Sequence, residues 1–216
     1  MAERSAAVTD RQVADEVSTA RVEAFSDGVM AIAATLLVME LQAPAPGENL
    51  GHALREEAPS VAAFAVSFIT ILIFWVNHHA LFGAVHHVDR GLLFLNGLLL
   101  LSITFVSYPT AVLGRALQEG SSARGAAVLY ALVLAAAATL FTGLWTYLRA
   151  RPHLLRPEMR PRAATAIRRS LVGPFLYLLT ALVALVSAPA ALAVAAVVAV
   201  FFALPPRGRA ADPGAG

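Results

Sequence analysis

Six long apolar runs restrict this chain to folds that cross a membrane. A helix needs roughly 20 consecutive apolar residues to span about 30 Å of hydrocarbon. Only 14% of the residues are charged, whereas a soluble domain carries about 25%. We therefore expect an all-α polytopic membrane protein with six transmembrane helices. The runs lie at residues 22–42, 59–83, 91–114, 125–149, 170–187 and 189–204.

The fifth and sixth runs are separated only by Ser187-Ala188-Pro189. One long helix through both runs is one interpretation. Proline disfavours the helical conformation at the residue before it, here Ala188. A tight hairpin of two helices is therefore the preferred interpretation.

The basic residues predict the orientation. All 16 are arginines, and 13 of them lie on the cytoplasmic side if the N-terminus is cytoplasmic. Because cytoplasmic loops of membrane proteins are enriched in basic residues, both termini are predicted to be cytoplasmic in a multi-pass protein of the cell membrane. Residues 150–169 are arginine-rich and are predicted to form a topology-fixing loop. A basic helix lying on anionic lipid is the alternative.

The remaining segments complete the domain organisation. Residues 1–20 are polar and have no apolar core, so they predict a cytoplasmic tail and not a signal peptide. Residues 21–204 form one six-helix transmembrane domain. Residues 205–216 are rich in proline, glycine and alanine and are predicted to be disordered.

Several function classes lack support in the sequence. No cysteine is present and the net charge is only +2, which argues against thiol chemistry and nucleic-acid binding. No serine-hydrolase, metalloprotease or phosphate-loop motif occurs, so the chain is not expected to be an enzyme or to hold a cofactor. Four histidines form two adjacent pairs, His78-His79 and His86-His87. Adjacent pairs lack the usual ligand spacing, so no metal site is predicted.

The first run has an unusual arrangement on a helix. Phe25, Gly28, Ile32, Leu36 and Met39 fall on one apolar stripe, within about 40° of Ile32. Thr35 lies at its edge, and Ser26 and Asp27 lie on the opposite face. Polar groups at membrane depth need partners, so the subunit's own bundle is expected behind that opposite face.

The apolar stripe then has two possible neighbours. It faces lipid or ordinary packing surface, as most apolar stripes do. Alternatively, several copies of the helix surround an axis and enclose a narrow hydrophobic pore, which gates by dewetting. Periodicity alone leaves both interpretations open.

The motif Arg21-x-x-x-Phe25-Ser26-Asp27 resembles the RxxxFSD signature of the transmembrane protein 175 family of lysosomal and bacterial potassium channels. The residues from Asp27 to Leu37 also resemble the first span of bacterial members. Residues 74–82, with Trp75 and His78, resemble their second span, and residues 95–109, with Asn96, resemble their third. The last three runs match only in hydropathy.

This resemblance implies a potassium-permeable cation channel and a homotetramer in the lipid bilayer. The first helix of each subunit would line the pore, and potassium or other monovalent cations would be the permeant ions. A hydrophobic constriction replaces the carbonyl-lined filter of ordinary potassium channels. The implied pore layers are Ile32, Leu36 and Met39, and Thr35 is associated with selectivity.

The family motif also implies contacts between helices. Asp27 and Ser26 are expected to bond to the second and third spans through His78 and Asn96. Arg21 is close enough in sequence to contact the ring of Phe25. Glu40 ends the first span and is either a pore-mouth residue or an ordinary interfacial charge. A proton- or sodium-coupled transporter that uses Asp27 is the alternative function.

Overall fold

The computed structural model describes residues 18–120 and 122–203. The predictions for the N-terminal tail as far as residue 17 and for the disordered tail at 205–216 lie outside this part of the chain. The eight α-helices of the described part are α1 (Thr19–Leu36), α2 (Leu50–Phe82), α3 (Arg90–Phe105), α4 (Ser107–Glu119), α5 (Ala123–Ala150), α6 (Ala163–Ser170), α7 (Val172–Ala184) and α8 (Ala188–Ala203).

Polar residues directly before the first three helices fix where they begin. The side chains of Ser18, Asn49 and Asp89 accept hydrogen bonds from backbone N–H groups in the first turns of α1, α2 and α3. Such caps satisfy donors that have no partner within the helix. The cap at Asn49 starts α2 nine residues before the apolar run at 59, so α2 extends past the predicted span with a polar first section.

The prediction of an all-α membrane protein is confirmed. Five helical stretches are long and apolar enough to cross a membrane, namely Thr19–Glu40, Leu50–Phe82, Arg90–Glu119, Ala123–Ala150 and Pro157–Ala184. The sixth, Ala188–Ala203, is apolar but shorter. The third stretch consists of α3 and α4, which are interrupted only at Val106.

The fifth and sixth runs form a hairpin, as the proline predicts. Helix α7 ends at Ala184, α8 begins at Ala188, and the two helices pack against each other. One continuous helix through both runs is therefore excluded.

The arginine-rich segment 150–169 is more ordered than the predicted loop. Short 3-10 turns occupy Pro152–Leu154 and Pro157–Arg162, and α6 follows and leads into α7 through Leu171. A β-bridge between Val85 and Leu155 ties the segment to the end of α2. The loop prediction was therefore wrong for the second half of the segment, which is helical because it continues α7 towards its N-terminus.

Helix α5 lies at the centre of the bundle and contacts α3, α4, α6, α7 and α8. Helix α1 lies at one side, against α2 and α3. The ends of α2 and α5 and the helix α6 share one end of the bundle with the start of α1. We call this the arginine-rich end, since the segment 150–169 lies there.

Candidate functional site

Helix α1 has one buried and one exposed face. The buried face follows a 3-4 spacing and consists of Val22, Ser26, Met30, Ala33 and Leu37. It packs against α2 and α3. The polar residue Ser26 therefore points into the subunit's own bundle, because that is where it finds partners.

The opposite face of α1 carries the stripe that the sequence singles out. Phe25, Ile32, Leu36 and Met39 are 66%, 60%, 46% and 76% exposed. Gly28 and Thr35 are exposed on the same side. A single subunit therefore leaves a row of apolar side chains uncovered along a helix that is anchored from behind.

The end of this helix differs from the straight α-helix used for the sequence prediction. The α-helix ends at Leu36, and Leu37–Glu40 is a 3-10 turn. Each 3-10 residue rotates the chain by about 20° more than an α-helical residue. Met39 stays exposed, but Val38 also becomes 51% exposed, which the sequence prediction missed.

A buried hydrogen-bond chain connects α1, α3 and α2. The Asn96 Nδ2 atom donates to Ser26 Oγ at 2.9 Å, and Ser26 Oγ donates to the Val22 carbonyl at 2.8 Å. Asn96 Oδ1 and His78 Nε2 are 2.8 Å apart. Since the amide oxygen can only accept, the ring Nε2–H is the donor. His78 Nδ1 is buried without a partner among the described residues.

Asp27 reaches α2 by a different route from the expected contact with His78. Its Oδ1 accepts a hydrogen bond from Trp75 Nε1 at 2.9 Å. Asp27, Thr35 and Trp75 border an apolar groove of about 340 Å³ between α1 and α2. The carboxylate thus holds the two helices together at the side of the exposed stripe.

A second contact between α1 and α2 was not predicted. Glu23 Oε1 lies 2.6 Å from His79 Nδ1. The spacing gives a signal for this pair, because Glu23 and Asp27 are one turn apart on α1 and Trp75 and His79 are one turn apart on α2. The expected contact of Arg21 with Phe25 is absent among the described residues, where Arg21 is exposed.

Glu40 forms an ion pair at the opposite end of the bundle. Arg115 Nη2 donates to Glu40 Oε2 at 3.2 Å. The arginine offsets the charge of Glu40 and directs its carboxylate towards α4. In one subunit, this geometry favours the interfacial-charge interpretation over a free pore-mouth carboxylate.

A third polar cluster lies deeper in the bundle and was also missed. Ser67 Oγ lies 2.8 Å from Thr110 Oγ1 and donates to the Tyr130 hydroxyl at 3.0 Å. The cluster joins α2, α4 and α5. Isolated hydroxyl residues inside apolar runs are its only sequence signal, and such residues usually bond to their own helix. No group of three metal-ligating side chains occurs within residues 18–120 and 122–203.

Comparisons with known proteins identify a family model and related membrane channels. The family model for the endosomal/lysosomal potassium channel TMEM175 matches residues 21–106. A potassium channel of Streptomyces collinus is 47% identical over 164 residues, which cover 74% of this chain and 79% of that protein. The human endosomal/lysosomal proton channel TMEM175 is 38% identical over 102 residues, 43% of this chain and 20% of that protein.

A solved structure agrees over most of the chain. The crystal structure of a lysosomal potassium-selective channel TMEM175 homologue from Chamaesiphon minutus has a TM-score of 0.77 and 38% identity. The match covers 86% of this chain and 96% of that chain. The resemblance carried by the motif of α1 is thereby confirmed, and this chain belongs to the TMEM175 family.

Proposed function

We propose that the protein is a potassium-permeable cation channel of the cell membrane, in which four copies surround a pore lined by α1. The family is one of ion channels and not of enzymes. The bacterial relatives compared above are named potassium channel or potassium-selective channel. The expectation of potassium as the permeant ion rests on those relatives and on the chemistry of α1.

The observation that carries the proposal is the exposed stripe of α1. Ile32 and Met39 are 60% and 76% exposed, although the helix is fixed from behind by a buried hydrogen-bond chain. This chain joins α1 to two neighbouring helices, α2 and α3. An anchored helix keeps its exposed side chains at fixed positions, as a pore wall requires.

The side chains of the stripe would set the width and the hydration of this pore. Rings of Ile32, Leu36 and Met39 would form a hydrophobic constriction, where a narrow radius excludes water until the pore widens. The hydroxyl of Thr35 donates to the Ile32 carbonyl at 3.0 Å. Its oxygen lone pairs remain available to a passing cation, and Thr35 lies between the Ile32 and Leu36 layers along α1.

A coupled transporter that uses Asp27 is not favoured by the site. The Asp27 carboxylate accepts a hydrogen bond from Trp75 and lies beside the stripe. An ion carrier would instead need to release and reload its carboxylate from both sides of the membrane. Because the human relative is named a proton channel, proton flux should be measured together with potassium flux.

Ion flux in proteoliposomes tests the proposal. The purified protein should pass potassium down its gradient without an obligatory counter-ion. Ile32→Asn should raise both potassium and sodium flux several-fold and reduce discrimination between them, because a polar ring wets the constriction. Leu182→Asn is the matched control, since Leu182 is 63% exposed on α7. Equal flux in both variants, or potassium transport that requires a second ion, would contradict a pore at Ile32.

A further inference from the structure

A large cleft away from α1 has no role in the proposed pore. It has a volume of about 500 Å³ and lies between α2, α5, α6, α7 and α8. This volume is within the range of roughly 300–1,000 Å³ that is typical of small-molecule sites. The cleft lies at the arginine-rich end, since Asn77, Ala80 and Trp145 line it near the last turns of α2 and α5.

One side of the cleft is a single helical stripe that changes from basic to apolar. At spacings of three or four, the stripe runs from the last residue of the 3-10 turn through α6 into α7, and it consists of Arg162, Ala166, Arg169, Gly173 and Tyr177. Residues at these spacings share a face. Both arginines are exposed at the rim, whereas Gly173 and Tyr177 are buried deeper in the bundle.

The two arginines differ from other arginines of the same segment. Arg151 lies 3.7 Å from Asp89 Oδ2, Arg156 donates to the Val85 carbonyl, and Arg160 donates to the Pro152 carbonyl. Arg162 and Arg169 have no ion pair or side-chain hydrogen bond within the described ranges. The rim therefore presents two uncompensated positive charges on one face.

The wall opposite the stripe is apolar. It is formed by side chains of α2, α5 and α8, namely Ile73, Phe74, Phe141, Trp145 and Phe202. Such a wall offers partners for hydrocarbon, and the paired guanidinium groups offer charge-assisted hydrogen bonds to a phosphate. Their backbones are about 10 Å apart along a helix, a separation that two long side chains can close around one phosphate.

We propose that this cleft binds an anionic phospholipid, with its phosphate held by Arg162 and Arg169 and one acyl chain inside the apolar cleft. Basic pockets between transmembrane helices on the cytoplasmic side attract acidic headgroups in this way. A soluble phosphate would gain nothing from the aromatic wall. A zwitterionic lipid would bring its own ammonium group close to the two arginines, and this third positive charge is repelled by the rim.

Lipid retention by the full-length protein tests the headgroup contact. The protein is reconstituted in equal parts of phosphatidylglycerol and phosphatidylcholine, extracted in mild detergent, and examined by native mass spectrometry. The double variant Arg162→Gln/Arg169→Gln should retain several-fold less phosphatidylglycerol than the parent. Arg168→Gln is the matched control, because Arg168 lies on α6 but does not line the cleft. An equal loss in control and double variant, or equal retention of phosphatidylcholine by the parent, would overturn the proposal.

A second variant tests the acyl-chain contact. Ala166→Phe fills the cleft while both arginines remain, so it should also lower phosphatidylglycerol retention several-fold. Undiminished retention would show that the lipid is held at the surface only and would overturn the proposed binding mode. A free fatty acid as the retained species would likewise refute a phospholipid site. Because retention is read without ion flux, the result does not depend on whether α1 lines a pore.

Discussion

The two halves of the bundle are held together by different interactions. Helices α1 to α4 are connected by hydrogen bonds between side chains, such as Asn96 with Ser26, Trp75 with Asp27, and Ser67 with Thr110. In α5 and α7, threonine hydroxyls such as those of Thr142 and Thr180 donate to carbonyls of their own helix, and the tyrosines of α5 bond to Ser67 and Asp89 in the first half. The hydrogen bonds of these threonines stay within one helix, so they do not determine which helix packs beside it.

The second half relies on small residues for its packing. The buried face of α8 includes Ala188, Ala191, Ala195 and Ala199, spaced at three or four residues. Buried alanines also recur along α5, which is the main contact of α7 and a further contact of α8. Small side chains let helix backbones approach closely, and dispersion between them drives association in lipid.

This difference parallels the range of the family model. A directional hydrogen bond requires particular side chains at particular positions, whereas apolar contact accepts many residues of similar size. The family model matches residues 21–106, which contain α1 to α3 and most of their polar partners. The motif of α1 thus coincides with hydrogen bonds between helices, and bacterial relatives match beyond residue 106 as well.

The largest effect is expected from breaking the buried chain at its centre. Asn96→Leu removes the hydrogen bond to Ser26 Oγ and leaves the His78 Nε2–H without an acceptor, and an unsatisfied buried donor costs about 1–3 kcal/mol. The variant should unfold at a clearly lower temperature and form fewer oligomers, as measured by thermal denaturation with size-exclusion detection.

An asparagine that bonds within its own helix provides the control for this prediction. Asn77 Nδ2 donates to the Ile73 carbonyl at 2.8 Å, and both residues are on α2. Asn77→Leu should therefore cost far less than Asn96→Leu. Similar losses in both variants would mean that bonds between helices do not distinguish the first half of the bundle.

The second half should instead be sensitive to volume. Ala195 is fully buried on α8, whereas Val197 on the same helix is 68% exposed. Ala195→Leu should destabilise the bundle by about 1–3 kcal/mol, the usual cost of overpacking. Val197→Leu should leave the melting temperature unchanged. A tolerated leucine at 195 would indicate that the α8 interface is loose and is not closely packed.

A smaller effect is expected at the half-buried contact between Trp75 and Asp27. Trp75→Phe keeps an aromatic ring and removes the N–H donor. The loss in stability should be about 0.6–1.7 kcal/mol, the range for hydrogen bonds between helices in a membrane protein. Asp27→Ala removes the acceptor and should lower the fraction of the proposed tetramer in native gels. Full assembly of Asp27→Ala with a changed conductance would assign the carboxylate to permeation and not to packing.

Hydropathy and helical periodicity were sufficient to predict the architecture and which face of α1 is buried. Ser26 is polar within an apolar run, so its burial against its own bundle follows from the sequence. The partner of Asp27 does not follow, because it depends on the rotation of α2 that brings Trp75 to the carboxylate. The helical conformation of residues 163–170 was only the alternative prediction, because an arginine-rich composition suits a loop as well and the helix is continuous with α7 through Leu171.

The exposed ion pair between Glu40 and Arg115 should give the smallest effect. The size of its coupling energy indicates whether water or another subunit surrounds the pair. The side chains are 35% and 59% exposed in one subunit, and exposed pairs contribute about 0.2–1 kcal/mol. A double-mutant cycle with Glu40→Gln and Arg115→Gln should give a coupling energy in this range. That coupling should shrink between low and high salt, since the Debye length falls from about 30 Å at 0.01 M to about 3 Å at 1 M.

A coupling above about 2 kcal/mol that persists in high salt would exceed what an exposed pair provides. The pair would then be covered in the assembled protein, and the end of α1 would be an interface between subunits.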